Sequence, residues 1–221
     1  MLGDFHTHTY LSDGVLSPLE LIRQAQVRGL GAIALTDHVG PASLERVLRE
    51  LQQECALARA HWGIQAIPGV ELTHLPAAAI PDAARKAKEL GAWLVLVHGE
   101  TLSEPVEPGT NLQALTSPHV DILVHPGLLS EEEARLAAQR EIFLELSARK
   151  GHCLANGHVT LMARATGARL IVSSDAHAED ELLSPALFQA VARGAGLQEE
   201  ELTALGQNVQ LLLSRLPLEI G

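Results

Sequence analysis

Cysteine is nearly missing from this 221-residue chain: Cys55 and Cys153 are the only two, and they form no C-x-x-C pair. That argues against a disulfide framework or a thiolate zinc site and fits a reducing, cytoplasmic setting. Aromatic residues are also scarce, three Phe, two Trp and one Tyr, which leaves little with which to stack single-stranded bases. Lys and Arg number 16 against 27 Asp and Glu, for a formal net charge of -11. Such a balance argues against nucleic acid as a partner, because a sequence-independent grip needs basic groups to neutralise phosphates. No apolar run approaches the roughly 20 residues of a membrane span, and the first residues lack the basic segment and apolar core of an export signal. Glycine-rich phosphate loops are missing as well. No G-x-G-x-x-G follows the first apolar run and no G-x-x-x-x-G-K-[ST] occurs, so the nucleotide-binding forms of an open α/β sheet lose their mark.

What is present is a regular alternation. Short apolar runs recur at 31–36 (GAIALT), 63–70 (GIQAIPGV), 92–97 (AWLVLV), 120–124 (VDILV), 142–146 (IFLEL) and 169–173 (RLIVS). With the opening segment they make seven candidate strands, apolar on both faces as in a buried parallel sheet. Helix signals fill the gaps. Residues 17–29 offer a Ser N-cap, Pro at the first helical position, Glu at the capping-box position and a closing Gly, and 130–139 begin with Ser130 and an acidic first turn. Helices are also expected at 155–167, 184–194 and 198–214, and the proline-containing stretch 99–118 is expected to be a long loop. Strict β-then-α order through one domain of residues 1–221 means either a doubly wound sheet or a closed barrel.

The polar residues follow the apolar runs. Asp4, His6, His8 and Asp13 crowd the opening DFHTHTYLSDG; Asp37 and His38, Glu71, His98, His125, Glu145, and Asp175 with His177 stand at or near the ends of the later runs. In a parallel barrel all strand C-termini open on one mouth, where barrel active sites sit, so residues spread over the whole chain would meet there. Imidazole and carboxylate are the side chains that bind Zn²⁺, Mn²⁺ or Fe²⁺. Bound cations would also offset the acidic balance locally and admit an anionic substrate.

These residues carry a resemblance to the PHP (polymerase and histidinol phosphatase) superfamily of metal-dependent phosphoesterases. Its motifs stand here as DFHTH (4–8), TDH (36–38), VHPG (124–127) and SDAH (174–177), joined by SDG (12–14), GVE (69–71) and the histidine of VHGE (97–100). The resemblance implies a distorted barrel of seven strands, TIM-like, that holds up to three divalent ions, Zn, Mn or Fe, at the strand C-termini. Carried over position by position, the metal ligands are His6, His8, Asp13, His38, Glu71, His98, His125, Asp175 and His177. Glu71 becomes the bridging carboxylate, and Asp13 occupies a position that is His in some relatives. Asp175 and His177 also count as catalytic, because metals close together can activate a bridging water as hydroxide for in-line attack on phosphorus. Asp4 and Asp37 suit partners that fix histidine tautomers, or simple turn caps.

A second cluster, ELSARKGHCLANGH (145–158), places Arg149, Lys150, His152 and His158 in a glycine-containing loop on the same face. Arg149 suits a bidentate phosphate clamp, Lys150 a point charge beside it, and His152 a proton donor to a leaving group. The alternative is a solvated basic turn. His61 and His119 are expected at the opposite end of the barrel, and His74 and Glu100 beside the pocket. The expected activity is hydrolysis of a small phosphomonoester in the manner of the compact histidinol-phosphatase-like members. The alternatives are a phosphodiesterase or exonuclease on short nucleotides, and a metal-binding regulatory module without catalysis. Exposed helices leave a homo-oligomer open.

Overall fold

A computed structural model describes residues 1–217. The strands are β1 (Gly3–Asp4), β2 (Ala32–Leu35), β3 (His38–Val39), β4 (Gln65–Leu72), β5 (Leu94–His98), β6 (Ile122–Val124), β7 (Phe143–Ser147) and β8 (Leu170–Ser173). All pair in parallel in the order β1-β2-β4-β5-β6-β7-β8, and the two-residue β3 pairs with the outer half of β4. The ring closes beyond β1 and β8, where His8 N–H donates to the Ala176 carbonyl at 2.8 Å and Asp175 N–H to that of His6 at 2.9 Å. The result is the expected α/β architecture, a distorted, nearly closed seven-strand barrel; β3 continues the second strand past a break at Thr36–Asp37.

Crossover helices α1 (Pro18–Val27), α2 (Leu44–His61), α3 (Ile80–Glu89), α4 (Thr110–Thr116), α5 (Glu131–Arg140), α6 (Asn156–Thr166), α7 (Pro185–Gly194) and α8 (Glu199–Ser214) follow the strands. Their starts obey local chemistry. Ser17 accepts from the Glu20 N–H ahead of Pro18, and Ser130 and Glu133 satisfy each other's backbone N–H in a full capping box. The stretch 99–118 is a correction: it contains α4. Pro105, Pro108 and Pro118 all lie outside that helix, and Gly109, with φ of 92°, makes the turn into it, so the prolines bracket the helix instead of breaking it.

Two apolar layers result. Outward-facing strand residues such as Ile33, Leu35, Val95, Val97, Leu144 and Leu146 pack against the helices. Inward-facing residues, among them Phe5, Ala32, Ala34, Ile67, Leu94, Leu96, Ile122, Phe143 and Ile171, fill the barrel's lower half, and Val209, Leu212 and Leu213 of α8 stop its base with Leu216 just past the helix end. The alternation continues upward with different chemistry. Glu71 shares a face of β4 with Ile67, His98 a face of β5 with Leu94 and Leu96, and Glu145 a face of β7 with Phe143, because strand residues two apart point the same way. The upper barrel is therefore filled by ionisable groups on a floor of hydrocarbon.

Leu212 is 1% exposed in this plug. Leu212→Ala should cost about 2–5 kcal/mol of stability in urea unfolding; a loss under about 1 kcal/mol would show that α8 does not seal the base.

Candidate metal centre

Sheet register determines who meets whom. Glu71 is level with His38 on one side and Leu96 on the other, which puts its fully buried carboxylate at the centre of a ring of imidazoles. His38 Nδ1 lies 2.6 Å from Glu71 Oε2, His98 Nδ1 2.9 Å from Oε1, His6 Nε2 3.3 Å from Oε2, and His8 and His125 Nε2 each 3.6 Å from the carboxylate. Asp175, 2% exposed, closes the other side, 3.2 Å from His8 Nε2 and 3.7 Å from His6 Nε2. Beyond it His177 Nε2 stands 3.2 Å and His38 Nε2 3.6 Å from Asp13 Oδ1. All nine expected ligand positions thus converge on one mouth.

Backbone strain accompanies the convergence. His125 has φ of 31° and Asp175 φ of 57°, left-handed conformations that non-glycine residues avoid at a cost of order 1–3 kcal/mol. Packing holds both: the His125 N–H donates to Glu145 Oε2 at 3.0 Å, and Asp175 is tied to His6 across the barrel seam.

The donors fit divalent cations. His6 Nε2, His8 Nε2, Glu71 Oε2 and Asp175 Oδ1 are buried and have no hydrogen-bond partner, and such groups are costly unless something occupies the space between them. Asp175 Oδ1 lies 3.2 Å from His8 Nε2 and 3.7 Å from His6 Nε2, and Glu71 Oε2 lies 3.6 and 3.3 Å from the same two atoms, near the separations of about 3.3 Å between N and O ligands some 2.0–2.1 Å from an ion; His6, His8 and Asp175 form one group able to hold an ion. Further groups of donors able to hold an ion are His38, Glu71 and His98; His6, Glu71 and His125; and His8, Asp13, His38 and His177.

Protonation points the same way. Burial pushes the Asp175 carboxyl up to about 7, with the charges of Glu71 and Glu145 adding to it against His6 and Arg149. Burial favours a neutral Glu71, yet the charges of His38 and His6 hold it well below the usual carboxylate range. Burial holds His8 and His125 well below the usual imidazole range, so both keep a lone pair. Burial opposes charge on His38 too, but Glu71 raises it to about 9. Protons on His6, which burial opposes but nearby carboxylates raise well above the usual imidazole range, and on His38 thus balance the buried carboxylates, a task that cations can take over as the protons leave.

Several neighbours differ from expectation. Asp4 and Asp37 touch no imidazole. Asp4 accepts from the Ser174 N–H, the Ser174 hydroxyl and the Leu183 N–H; Asp37 accepts from the N–H and hydroxyl groups of Thr9 and Ser12. Both are clamps on the loops that carry ligands, the turn-cap alternative. The tautomer-fixing carboxylate is Glu145, whose Oε1 is 2.8 Å from His6 Nδ1; its place inside IFLEL, level in face with Phe143, was the available signal. His158 is also a correction: it lies on α6 and bonds the Leu129 carbonyl at 2.8 Å, because that helix starts at Asn156. Glu104, which no motif marks, stands among His74, His98 and His152. Glu100 accepts from the Gly109 and Asn111 N–H groups and so serves its own loop. His61 ends α2 and His119 precedes β6, away from the mouth.

Arg149 and His152 both reach the cluster. Arg149 Nε is 3.8 Å from Asp175 Oδ2, and its NH1 is 2.8 Å from His177 Nδ1. Exposed Lys150 joins Arg149, Ser174, Asp175, Glu181 and Leu187 around a cavity of ≈ 370 Å³. The His152 ring stacks on His125 at 4.1 Å between centroids.

A profile of the PHP domain matches residues 4–181. The chain is 44% identical to an uncharacterized protein of Methanocaldococcus jannaschii, over 91% of this chain and 93% of that one. It is 27% identical to a protein of Acetivibrio thermocellus named probable phosphatase, over 81% and 80%. The crystal structure of histidinol phosphate phosphatase from Lactococcus lactis, complexed with zinc, L-histidinol and phosphate, superposes with a TM-score of 0.60 at 14% identity, over 94% of this chain and 93% of that one, a likeness of fold. With the profile match spanning β1 to the segment after β8, this chain belongs to the PHP domain family.

Proposed function

We propose that the protein hydrolyses a small phosphomonoester with the help of up to three divalent ions, Zn²⁺, Mn²⁺ or Fe²⁺. The observation that carries this is the set of buried donors without hydrogen-bond partners, His6, His8, Glu71 and Asp175, which fall in overlapping groups able to hold an ion beside a cavity lined by Arg149 and Lys150. His6, His8 and Asp175 would hold one ion, Glu71 with His6 and His125 or with His38 and His98 a second, and His8, Asp13, His38 and His177 a third. Cations held there supply Lewis acidity at a phosphoryl oxygen and activate water for in-line attack.

The chain's own residues do the rest. Arg149 pairs with phosphoryl oxygens and Lys150 adds charge at the rim, which orients the ester toward Asp175. His152 delivers the proton to the departing alkoxide. It does so as the imidazolium, with Nδ1–H donating to the Thr101 hydroxyl 2.7 Å away and the transferable proton on Nε2, the atom facing Glu104 and Asp175, so that loss of the proton leaves a neutral imidazole. Glu145 keeps His6 in the tautomer whose Nε2 points inward. The buried floor of Leu96 and Val124 excludes water from below. The cavity suits a ligand of small-molecule size, and the relative named probable phosphatase supports the same reaction class.

The test is phosphate release by Mn²⁺- or Zn²⁺-loaded protein across a panel of phosphomonoesters, histidinol phosphate among them, with nucleotide diesters coupled to an added phosphatase. Monoester turnover is expected. Turnover of diesters alone would favour the nuclease alternative, and none from fully metallated protein would favour the regulatory module. Asp175→Asn should lower kcat by more than about 100-fold while the protein stays folded; near-normal turnover with full metal content would remove Asp175 from the ligand set. Arg149→Ala should raise KM for the monoester by about 10-fold or more with metal content unchanged, and unaltered KM and kcat would return Arg149 and Lys150 to a solvated turn.

A further inference from the structure

Two neighbours ask opposite things of His177 Nδ1. Arg149 Nη1 lies 2.8 Å from it and the Asp175 carbonyl oxygen 3.0 Å. A guanidinium has only N–H groups to offer, so toward Arg149 the ring nitrogen must accept; a carbonyl oxygen has only lone pairs, so toward Asp175 it must donate. One nitrogen cannot do both. With Arg149 where it stands the choice is made: one Nη1–H goes to His177 Nδ1 and the other to the Asp175 carbonyl at 3.2 Å. The neutral ring then carries its own proton on Nε2, the atom 3.2 Å from Asp13 Oδ1.

That tautomer is the wrong one for a ligand. His177 belongs with His8, Asp13 and His38 to a group able to hold an ion, and Nε2 is its atom on the Asp13 side. An imidazole ligates through a lone pair, so His177 can offer Nε2 only with its proton on Nδ1. The Asp175 carbonyl is in place to accept that proton, but Arg149 would then present N–H to N–H at 2.8 Å and has to withdraw. His177 cannot withdraw instead. Its N–H donates to Glu181 Oε2 at 2.7 Å, and its carbonyl accepts from the Val15 N–H at 2.8 Å. Arg149 is a long side chain, 31% exposed, on the wall of the cavity that Lys150, Glu181 and Leu187 also line.

We propose that Arg149 is exchanged between His177 and the substrate phosphate: while it donates to His177 Nδ1 it holds the ring in the form that cannot ligate, and ligation of a cation through His177 Nε2 releases Arg149 into the cavity as the phosphate clamp. The protons balance. One leaves Nε2 and one arrives at Nδ1 through solvent, so the ring is neutral before and after, and Arg149 keeps its charge throughout. Phosphoryl oxygens then replace the imidazole as acceptor, and a guanidinium pairs with them more strongly than with a neutral ring. Linkage makes the effect reciprocal: an oxyanion that draws Arg149 away favours the ligating tautomer of His177 and so the cation. The clamp is thereby withheld until the group of Asp13, His38 and His177 is filled.

This inference rests on the metal-dependent function proposed above, and its test separates the two. Wild type, Arg149→Ala and Lys150→Ala are stripped with a chelator, compared by melting temperature, and read by ¹⁵N shifts of His177 before titration with Zn²⁺ against a competing chelator. Stripped wild type should show the Nε2–H form of His177. Arg149→Ala, and wild type with added inorganic phosphate, should show the Nδ1–H form. In Arg149→Ala the weakest-bound Zn²⁺ should bind about 10-fold tighter or more, with the content at saturation as in wild type. Lys150→Ala removes the same charge from the same cavity without touching His177, so it should keep the wild-type tautomer and gain far less. Should Arg149→Ala melt lower, Arg149→Met repeats the comparison with the hydrocarbon stem kept. The Nδ1–H form in stripped wild type, with wild-type Zn²⁺ affinities in Arg149→Ala, would overturn the exchange alone. Equal tightening in the two alanine variants with no change at His177 would overturn it in favour of plain charge repulsion. A wild type that binds no Zn²⁺ would overturn the release of Arg149 together with the metal-dependent function.

Discussion

Burial of the Glu71 carboxylate in the upper barrel is the constraint on which the rest of the site depends. A lone ionised carboxylate in a protein interior is too costly to keep without compensation. Here five imidazoles, those of His6, His8, His38, His98 and His125, come within 3.6 Å of it. They arrive from four separate strand ends, so closing the barrel assembles the compensation and the site in one event. Asp175 and Glu145 add two further buried carboxyl groups, and where these ionise positive charge must enter as protons or as metal ions. The same electrostatic demand that would destabilise an empty cluster suits its donor groups to hold cations.

The barrel divides this labour by height. Strand alternation makes one face of each strand the interior, and that face changes from hydrocarbon to ionisable groups within a few residues: Leu94 and Leu96 to His98, Phe143 to Glu145, Ile67 to Glu71. The lower layer, stopped by α8, supplies rigidity and excludes water; the upper layer spends some of that stability on strained residues at the mouth, His125 and Asp175. Function and folding are separated along one axis, with the loops at the mouth free to set substrate preference.

Much of this was legible in the sequence because its causes are local. Strands buried on both faces read as apolar runs, and helices begin at Ser17 and Ser130 for reasons visible in a few residues. Strand-end histidines and carboxylates in a parallel α/β chain have one place to gather, and the motifs set their order. What stayed hidden depends on contacts distant in sequence. Helix α4 hid among prolines that turned out to flank it. His158 is expected in the loop at the mouth although it falls within the expected helix 155–167, and from α6 it points to the Leu129 carbonyl. Asp4 and Asp37 suited histidine partners and turn caps alike in the sequence, and backbone donors from Ser174, Leu183, Thr9 and Ser12 decide for the caps. Glu104 gave no local signal; only the fold brings residues 74, 98, 104 and 152 together.

The most direct test of this account is the metal content of the chelator-stripped and reloaded protein, measured with its melting temperature in both states. The account predicts up to three ions per chain, with more than one retained after dialysis, and a clear rise in melting temperature on loading, because cations that bind the folded cluster stabilise it by mass action. Fewer than one ion per chain with an unchanged melting temperature would contradict it, and would mean that protons alone balance the buried carboxylates around Glu71.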